Sequence, residues 1–510
     1  MSVIKSKLTI EYGDFQTPIE LAERICQKLS SLGVNPDLIV EPTCGVGNFI
    51  VASIQQFKSA AKIVGLEINP DYIKAAKNSP IIKHDQRVIL HHGDLLNFPL
   101  SNLEQSGEIL VIGNLPWITN SQQGLISGNN LPQKSNFLGY KGLDALTGKS
   151  NFDLSEWMLI QIIEWLQNYE HSYLGMVCKT SVARKILYYL HDRQKNVCQF
   201  STYRIDAKKY FNAAVESCFV FCEFSGKLKR YFCDIFPSLE SADFQRIGFS
   251  HNRLIADMVT FQKLSFLYSE TQPLIKWRSG IKHDCAKIME LRQVNNDLVN
   301  GWGEKVNLED DYIFPLLKGS DIANGKISQT DKYVLVTQKS LGEDTALIKH
   351  HAPQTWNYLE QNAANLDGRQ SKIYQNHPRF AIFGVGDYTF KPWKIAICGL
   401  YKKLEFQLIS PLKGKPVLFD DTVYFLSFDT EPEAIAVFQI LTSAEAIAFY
   451  NSLIFWDEKR PIKTSILNCL NLHPRLSPLL ETRFLKETRF PSPHHVDRRG
   501  IGGGIGGGIS

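Results

Sequence analysis

The sequence lacks the features that mark zinc-binding, disulfide-rich and membrane-spanning proteins. Its 510 residues include ten cysteines, but no two form a Cys-x-x-Cys pair. This disfavours both a zinc site and a disulfide framework, and it suits a reducing compartment. No signal-peptide pattern is seen at the amino terminus. The most apolar late segment, 435–456, is interrupted by Glu445 and Asn451, so we expect no membrane span and a cytoplasmic location.

An excess of charge of one sign is missing as well. The formal net charge is only +4 and the isoelectric point is near 8.4, which permits a nucleic-acid partner without demonstrating one. Hydrophobic residues make up 44% and charged residues 21% of the chain, as in ordinary globular proteins. We therefore expect two or three domains, each large enough to bury its own core.

A Gly-rich turn near the amino terminus is the first informative motif. Residues 38–49 are typical of a buried strand ending at Glu41, a turn with Gly45 and Gly47, and a helix start. The glycines let the backbone approach a ligand, and the helix start offers unpaired N–H groups. A nicotinamide fingerprint would have a third small residue where Ile50 stands. We therefore disfavour a dinucleotide site, although a lone Gly-x-Gly is often only a structural turn.

Polar residues close three further apolar runs. Glu67 lies twenty residues beyond Gly47, where an acid suits the hydroxyls of a ribose. Asp94 can accept a hydrogen bond from an adenine amino group, although a single Asp there is more typical of a turn. Asn114 ends the last run. Ligands in open α/β sheets bind at the carboxyl ends of the strands, so the series predicts one ligand site. The apolar runs are 63–66, 88–90 and 109–112.

The pentapeptide Gly-Asn-Leu-Pro-Trp at 113–117 follows the last run. The Asn114 amide can hold an exocyclic amine, Pro116 stiffens the backbone, and Trp117 can stack on a planar ring. This geometry suits methylation of the amino nitrogen of adenine. Alone, Asn-x-Pro after a strand is most often an ordinary turn. Its significance comes from the Gly-rich turn that precedes it.

Residues 10–225 together resemble the S-adenosylmethionine-dependent DNA adenine-N6 methyltransferases of restriction-modification systems, in the group with cofactor motifs first and target recognition last. The resemblance implies an α/β fold, a Rossmann-like class I methyltransferase domain whose mostly parallel twisted sheet has helices on both faces. It also implies a set of cofactor contacts. They are Glu41, Cys44, Gly45 and Gly47 for the methionine part, Glu67 for the ribose, Asp94 for the adenine, and Asn114.

The family also contacts the cofactor through the stretch before the first strand, here 14–20. Thr17 and Glu20 have the spacing of a capping box, with Pro18 at the first helical position. A well-capped helix and nothing more is the alternative. That alternative is compatible with a Thr17 that also contacts the cofactor.

The resemblance assigns five catalytic positions: Asn114, Leu115, Pro116, Trp117 and Phe211. In this assignment the Asn114 amide oxygen and the Leu115 carbonyl accept hydrogen bonds from the target amine, and Trp117 stacks on the flipped base. The family usually has Pro where Leu115 stands, but any residue supplies a carbonyl. The Leu form also resembles the Asn-Leu-Pro-aromatic motif of ribosomal-RNA adenine dimethyltransferases, which leaves an RNA substrate open.

Phe211 is assigned to stack on the base from the face opposite Trp117. Tyr210 and Phe219 compete for this role, and a Phe beside a strand is more often a core residue.

Two islands rich in Gly, aromatic residues and Lys follow residue 245, where the alternation of strands and helices is lost. They are 277–284, with 315–321 downstream, and 380–394. Their composition suits backbone contact and stacking on nucleic acid, and equally a β-hairpin with a tight turn. Similarity to the family's recognition regions favours the first interpretation. Replacing Lys391 or Lys394 by Ala should then weaken DNA binding and flatten its salt dependence, if these lysines touch phosphates.

We therefore predict a methyltransferase domain at 1–235, a mixed α+β DNA target-recognition domain at 245–480, and a disordered low-complexity tail at 481–510. From its composition we expect the polar stretch 120–150 to be an exposed loop, either simply solvated or closing over DNA.

The predicted function is site-specific transfer of a methyl group from S-adenosylmethionine to N6 of a flipped adenine in double-stranded DNA, in the modification enzyme of a restriction-modification system. We expect a monomer without a metal, and a cognate restriction endonuclease acting separately is compatible with this. The alternatives are an RNA adenine or protein-glutamine methyltransferase and an inactive DNA-binding relict.

Overall fold

The computed structural model describes residues 15–95, 97–98, 103, 107–117, 154–271, 273 and 275–472. The chain divides into two compact units, which meet in sequence between Gln262 and Lys263. The predicted loop 120–150 and the predicted tail 481–510 lie outside the described residues.

A ten-stranded sheet forms the centre of the first unit. Its strands are β1 (Leu38–Glu41), β2 (Lys62–Glu67), β3 (Val88–His92), β4 (Ile109–Asn114), β5 (His171–Lys179), β6 (Gln199–Ile205), β7 (Ser217–Ser225), β8 (Phe232–Phe236), β9 (Gln245–Ser250) and β10 (Arg253–Ile255). The order across the sheet is β10-β9-β8-β6-β7-β5-β4-β1-β2-β3. Strands β3, β2, β1, β4 and β5 are parallel, and β7 is antiparallel to both β5 and β6.

Helices cover both faces of this sheet, as predicted. They are α1 (Ile19–Ser31), α2 (Asn48–Gln56), α3 (Pro70–Asn78), α4 (Pro80–His84), α5 (Leu154–Leu166), α6 (Thr180–Asp192), α7 (Ala207–Phe211) and α8 (Met258–Lys263). In β4, Leu110 and Ile112 join the core formed with α1 and α2, whereas Ile109 and Val111 are buried outside that cluster. Alternate residues of a strand face opposite sides, so a continuous apolar run signals a sheet buried on both faces. The predicted α/β architecture, a twisted sheet with helices on both faces, is thereby confirmed.

The sheet continues past the stretch where the sequence suggested a boundary. The predicted junction at 235–245 falls between β8 and β9, and the first unit extends to Gln262. Strand β8 pairs parallel with β6, and β9 and β10 follow antiparallel. A cross-strand ion pair joins Arg246 Nε to Asp234 Oδ1 at 2.6 Å. The parallel strands of the first unit were recognisable because helices separate most of them in the sequence. Within the described range 154–271, no helix separates β8, β9 and β10, so the sequence did not reveal that the sheet continues.

The second unit is mixed α+β, as expected, and contains two sheets, β11-β20-β17-β18 and β14-β13-β12-β16-β15-β19. Its strands are β11 (Arg278–Ser279), β12 (Glu290–Val294), β13 (Asp297–Val299), β14 (Lys305–Val306), β15 (Ile313–Leu317), β16 (Lys332–Leu335), β17 (Trp393–Cys398), β18 (Gln407–Ile409), β19 (Leu418–Phe419) and β20 (Val423–Phe428). Its helices are α9 (Ala286–Met289), α10 (Gly319–Ala323), α11 (Ile348–His351), α12 (Pro353–Gln361), α13 (Ala363–Asp367), α14 (Asp387–Phe390), α15 (Glu431–Leu441), α16 (Ala444–Leu453) and α17 (Thr464–Leu467).

No single helix of the described part is long and apolar enough to cross a membrane. Helices α15 and α16 pass the length and composition test only as a pair, which is bent by 63° at the break between them.

Lys394 lies in the core of the second unit and is fully buried. Its Nζ donates to the carbonyl of Thr389 at 2.8 Å and to the carbonyl of Val417. Burial lowers the pKa of Lys394 to about 7. The predicted phosphate contact is therefore wrong for Lys394, because its ammonium is enclosed by the protein and satisfied by its carbonyls. Lys391 remains partly exposed, and its Nζ lies 2.8 Å from Asp429 Oδ2.

The island 380–394 is not a β-hairpin. It runs through a turn at Gly384, where φ is +78°, into the one-turn helix α14 and then β17. Strand β17 pairs instead with β20 and β18.

Candidate active site

Three of the predicted strand ends meet at one edge of the parallel sheet. Strand β1 lies between β2 and β4, with β1 paired in register to both. Glu41, Glu67 and Asn114 are the last residues of these strands. Parallel neighbours end at the same edge, so the three side chains share the place where open α/β sheets bind ligands. Asp94 follows β3, the outer neighbour of β2, and lies farther along that edge.

The Gly-rich turn is shaped by glycines that no other residue replaces easily. Gly45 has a φ of +52° and Gly47 a φ of +89°, and Gly47 caps the start of α2. The Gly45 N–H donates to Glu67 Oε2, and the Asn69 N–H donates to Glu67 Oε1, both at 2.8 Å. Glu67 therefore holds the turn in place. A carboxylate oxygen accepts more than one hydrogen bond, so these two contacts are compatible with ligand hydroxyls at Glu67.

Cys44 contributes to this turn through its backbone. Its N–H donates to the carbonyl of Leu66 at 2.7 Å, and its side chain is buried. Burial, together with the carboxylates of Glu41 and Glu67, raises the pKa of the Cys44 thiol far above its ordinary value. The thiol is therefore uncharged and unsuited to act as a nucleophile.

Glu41 is a buried acid with one oxygen that has no hydrogen-bond partner. Its side chain is 3% exposed, and Oε2 is unsatisfied. Burial raises the pKa of Glu41 well above its ordinary value, and the nearby charge of Glu67 raises it further. A buried acceptor left without a donor costs about 1–3 kcal/mol. A cationic ligand with N–H groups would remove this penalty.

The predicted capping box at Thr17 is wrong. Helix α1 starts at Ile19, its N-cap residue is Pro18, and no side chain caps it. The carbonyl of Thr17 instead accepts a hydrogen bond from Asn48 Nδ2 at 2.8 Å, which ties the segment to the start of α2. The Thr17 hydroxyl is buried without a partner. The structure thus places Thr17 beside the Gly-rich turn, where its hydroxyl is available to a ligand.

Gln16 contacts the same turn, although the sequence gave no signal for it beyond its place next to Thr17. Its Oε1 accepts from the Val46 N–H at 3.2 Å. A Cβ added at Gly45 would lie 2.2 Å from this oxygen. The Gln16 amide therefore covers the turn at the point where glycine is required.

The Asn114 side chain is held in one orientation. Its Nδ2 donates to the carbonyl of Phe15 at 2.9 Å, and its backbone carbonyl accepts from the Thr43 hydroxyl at 3.1 Å. Its Oδ1 is buried without a donor. Leu115, the next residue, is 1% exposed. The arrangement leaves an amide oxygen ready to accept a hydrogen bond from a ligand N–H group.

Trp117 and Phe211 lie together, as the sequence predicted, but they touch each other. Their ring centroids are 5.0 Å apart in an edge-to-face arrangement, and the Phe15 ring packs 5.1 Å from Trp117. Stacking a base between two rings requires a separation of roughly 7 Å, twice the optimal contact distance between carbon atoms. The two rings must therefore move apart to admit a base between them.

The two competitors of Phe211 have other contacts. The hydroxyl of Tyr210 is bound by Arg24, and Phe219 of β7 is fully buried in the core. Asp94 is half-buried, and its Oδ2 accepts from Asn97 Nδ2 at 3.2 Å. Within the described ranges, no group of three or more His, Cys, Asp or Glu side chains is placed to hold a metal ion.

Similarity to known proteins decides the family. Residues 4–182 match the model of the N-6 DNA Methylase family. The chain is 56% identical over 468 residues to the Type II methyltransferase M.NspV of Nostoc sp. (strain ATCC 29411 / PCC 7524), covering 91% of this chain and 97% of that protein. The chain belongs to this family of DNA methyltransferases. It is thus a methyltransferase of the restriction-modification type, and the RNA, protein-glutamine and relict alternatives are not favoured.

Solved structures with a similar fold include other restriction-modification proteins. The Type IIL restriction-modification enzyme MmeI in complex with DNA is 12% identical, with a TM-score of 0.48 over 96% of this chain and 70% of that chain. A methyltransferase subunit of the type I restriction-modification system of Streptococcus thermophilus is 14% identical, with a TM-score of 0.31 over 50% of this chain and 54% of that chain.

The cofactor of this DNA methyltransferase family is S-adenosylmethionine, and the residues at the strand ends fit it. Glu41 Oε2 and the Thr17 hydroxyl are buried polar atoms without partners beside the Gly-rich turn. An ammonium group and a sulfonium carry positive charge that suits the buried Glu41 carboxyl. The acid at the end of β2 suits ribose hydroxyls.

Proposed function

We propose that this DNA methyltransferase modifies N6 of an adenine that is flipped out of double-stranded DNA. The observation that carries the proposal is the orientation of Asn114. The Phe15 carbonyl binds its Nδ2, so the buried Oδ1 remains as the acceptor. An acceptor at this position binds the N–H group of an exocyclic amine.

An amino nitrogen also fits the reactive groups better than a ring carbon does. Methylating a ring carbon requires a covalent nucleophile, commonly a thiolate. Burial keeps the pKa of the Cys44 thiol far above its ordinary value, so this cysteine of the Gly-rich turn stays protonated. Adenine N6 and cytosine N4 both offer an amine. The purine stacks over more of the Trp117 ring, and residues 113–117 resemble the adenine-specific motif.

The mechanism depends on positioning. When bound, the cofactor supplies an electrophilic methyl group on its sulfonium centre. Asn114 Oδ1 and the Leu115 carbonyl accept the two N–H groups of the target amine and orient its nitrogen lone pair. Trp117, joined by Phe211 after the rings part, stacks on the base and offsets part of the cost of unstacking it, a few kcal/mol. Pro116 stiffens the backbone between these groups.

We assign the remaining residues to the cofactor. Glu41 and Thr17 bind its methionine part beside the turn of Cys44, Gly45 and Gly47. Glu67 binds the ribose and Asp94 the adenine. The support is their common place at the carboxyl edge of the sheet and the buried unsatisfied atoms described above.

We also propose a division of labour along the chain. The first unit carries the chemistry, and the residues after Gln262, up to about 480, read the DNA sequence, because base edges are read by side chains that the catalytic edge does not supply. A cognate restriction endonuclease would act as a separate protein on the same recognition sequence.

Sequencing that distinguishes modified bases, applied to plasmid from cells expressing the protein, tests the proposal directly. We expect N6-methyladenine at one sequence in the parent and none with Asn114→Ala. Losing one preorganised hydrogen bond to the reacting group should lower the rate on the order of a hundredfold or more, while S-adenosylmethionine binding stays within about twofold. N4-methylcytosine in the parent, or normal modification by the variant, would contradict the assignment.

A further inference from the structure

A cleft of about 680 Å³ opens on the first unit beside the candidate active site. It is bordered by the end of β6, by α7, by the turn before β7, by the residues after β8 and by Arg24 of α1. The charged residues that line it are Arg24, Arg204, Asp206, Lys208, Lys209 and Glu216.

The cleft lies at the same edge of the sheet as Asn114. Strand β7 is antiparallel to β5 and to β6, and β8 is parallel to β6. Strands β6 and β8 therefore run in the direction of β4 and end at its carboxyl edge. Helix α7 links the two places, because Phe211 packs against Trp117 while Lys208 and Lys209 line the cleft. A five-residue helix is only about 7.5 Å long, so the cleft lies close to Phe211.

Positive charge predominates in this cleft. Four cationic side chains line it, against the two carboxylates of Asp206 and Glu216. Asp206 is engaged at the start of α7, where its Oδ1 accepts from the Lys209 N–H at 2.9 Å. Arg24 is held by an ion pair with Glu240. The cations left to bind an anion are therefore on and beside α7.

An anion in the cleft can bind to Arg204, Lys208 and Lys209. Arg204 Nη2 lies 2.6 Å from Glu216 Oε2, but both side chains are more than half exposed, at 63% and 57%. Such a surface pair contributes roughly 0–1 kcal/mol and exchanges readily for another partner. Lys208 is exposed and makes no ion pair within the described residues. Lys209 Nζ lies 3.2 Å from the hydroxyl of the neighbouring Tyr210.

We propose that this cleft binds a backbone phosphate of the DNA strand that carries the target base. The inference rests on the proposed function, because DNA must cross this edge for a flipped base to reach Asn114. A phosphate fits Arg204 as a bidentate partner and the lysines as point charges. The contact sets the register of the flipped nucleotide without reading its sequence.

The test is the salt dependence of DNA binding by Lys208→Ala/Lys209→Ala in the full chain, without cofactor so that no transfer occurs. A duplex carrying the modified sequence and a scrambled duplex are both measured. We expect several-fold weaker binding to each, and a slope of log Kd against log salt that is smaller by about one for each phosphate that the variant no longer neutralises. Lys208→Arg/Lys209→Arg should keep both the affinity and the slope.

Lys227→Ala/Lys229→Ala is the matched control. Both lysines are exposed, the charge change is the same, and their loop follows β7, whose antiparallel direction puts it at the opposite edge of the sheet. The control should bind like the parent. Equal slopes for the two alanine pairs would overturn the inference, as would parent-like affinity and slope in Lys208→Ala/Lys209→Ala. Because the assay needs no methyl transfer, its result is independent of whether Asn114→Ala abolishes modification.

Discussion

Replacing Glu41 by Gln tests whether the buried carboxyl of Glu41 binds S-adenosylmethionine. Glu41 is 3% exposed, its Oε2 has no donor, and burial with the charge of Glu67 raises the pKa of Glu41 well above its ordinary value of 4.5. Gln keeps the shape and removes the titration. A hydrogen bond to a charged group is worth about 1.5–3 kcal/mol, so S-adenosylmethionine binding should weaken by roughly 10-fold to 150-fold.

The sign of the pH dependence follows from the direction of the shift. A raised pKa means that Glu41 keeps its proton in the folded protein without cofactor, over a range above 4.5. The stability that this adds is present at low pH and is lost as pH rises through the raised pKa. A cationic ligand favours the carboxylate, so binding releases a proton. The affinity should therefore rise with pH until the raised pKa is passed.

Calorimetry of S-adenosylmethionine binding at several pH values, in two buffers of different ionisation enthalpy, measures affinity and proton release together. The parent should release a proton and gain affinity as pH rises, and Glu41→Gln should do neither. Glu20→Gln is the control, because it removes an exposed carboxylate of α1. Parent-like affinity, or an unchanged pH profile, in Glu41→Gln would refute the role given to this carboxyl.

The remaining predictions concern three other residues. Asn114→Asp should transfer methyl groups on the order of a hundredfold more slowly than the parent. The reason is that a second carboxylate oxygen would face the Phe15 carbonyl, which now accepts from Nδ2 at 2.9 Å. Single-turnover rates measure this, and parent-like rates would exclude the orientation we describe. Glu67→Gln should weaken S-adenosylmethionine binding by roughly 5-fold to 150-fold, for a loss of about 1–3 kcal/mol. It should also lower the melting temperature, because Gln has one oxygen and so one of the Gly45 and Asn69 N–H groups loses its acceptor. Unchanged binding by calorimetry would argue against a role toward the cofactor. Burial lowers the pKa of Lys394 from 10.5 to about 7, so the free energy of unfolding of the parent should increase as the pH rises from about 7 to 10.5. Lys394→Met should abolish this increase, measured by urea denaturation. An increase retained in the variant would show that another group is responsible.

Much of the catalytic edge was predictable from short stretches of sequence. Glu41, Glu67 and Asn114 each end an apolar run of a few residues, and such runs predict buried parallel strands within a narrow window. Parallel strands that alternate with helices place their ends at one edge, so the order of the motifs along the chain was enough to bring these residues together. Trp117 and Phe211 were also expected to be neighbours, on the basis of a family resemblance.

The contacts that orient these groups depend on packing between distant parts of the chain. Asn114 is oriented by the carbonyl of Phe15, 99 residues away, and any residue at position 15 supplies a carbonyl, so no side-chain pattern reveals it. Lys394 was misplaced because a lysine in a Gly-rich, aromatic stretch has the same local composition whether it is exposed or enclosed by two carbonyls. Periodicity within a segment encodes which face is apolar. Which backbone groups then meet across the fold is settled only when the segments pack, because that depends on shapes contributed by every neighbouring element.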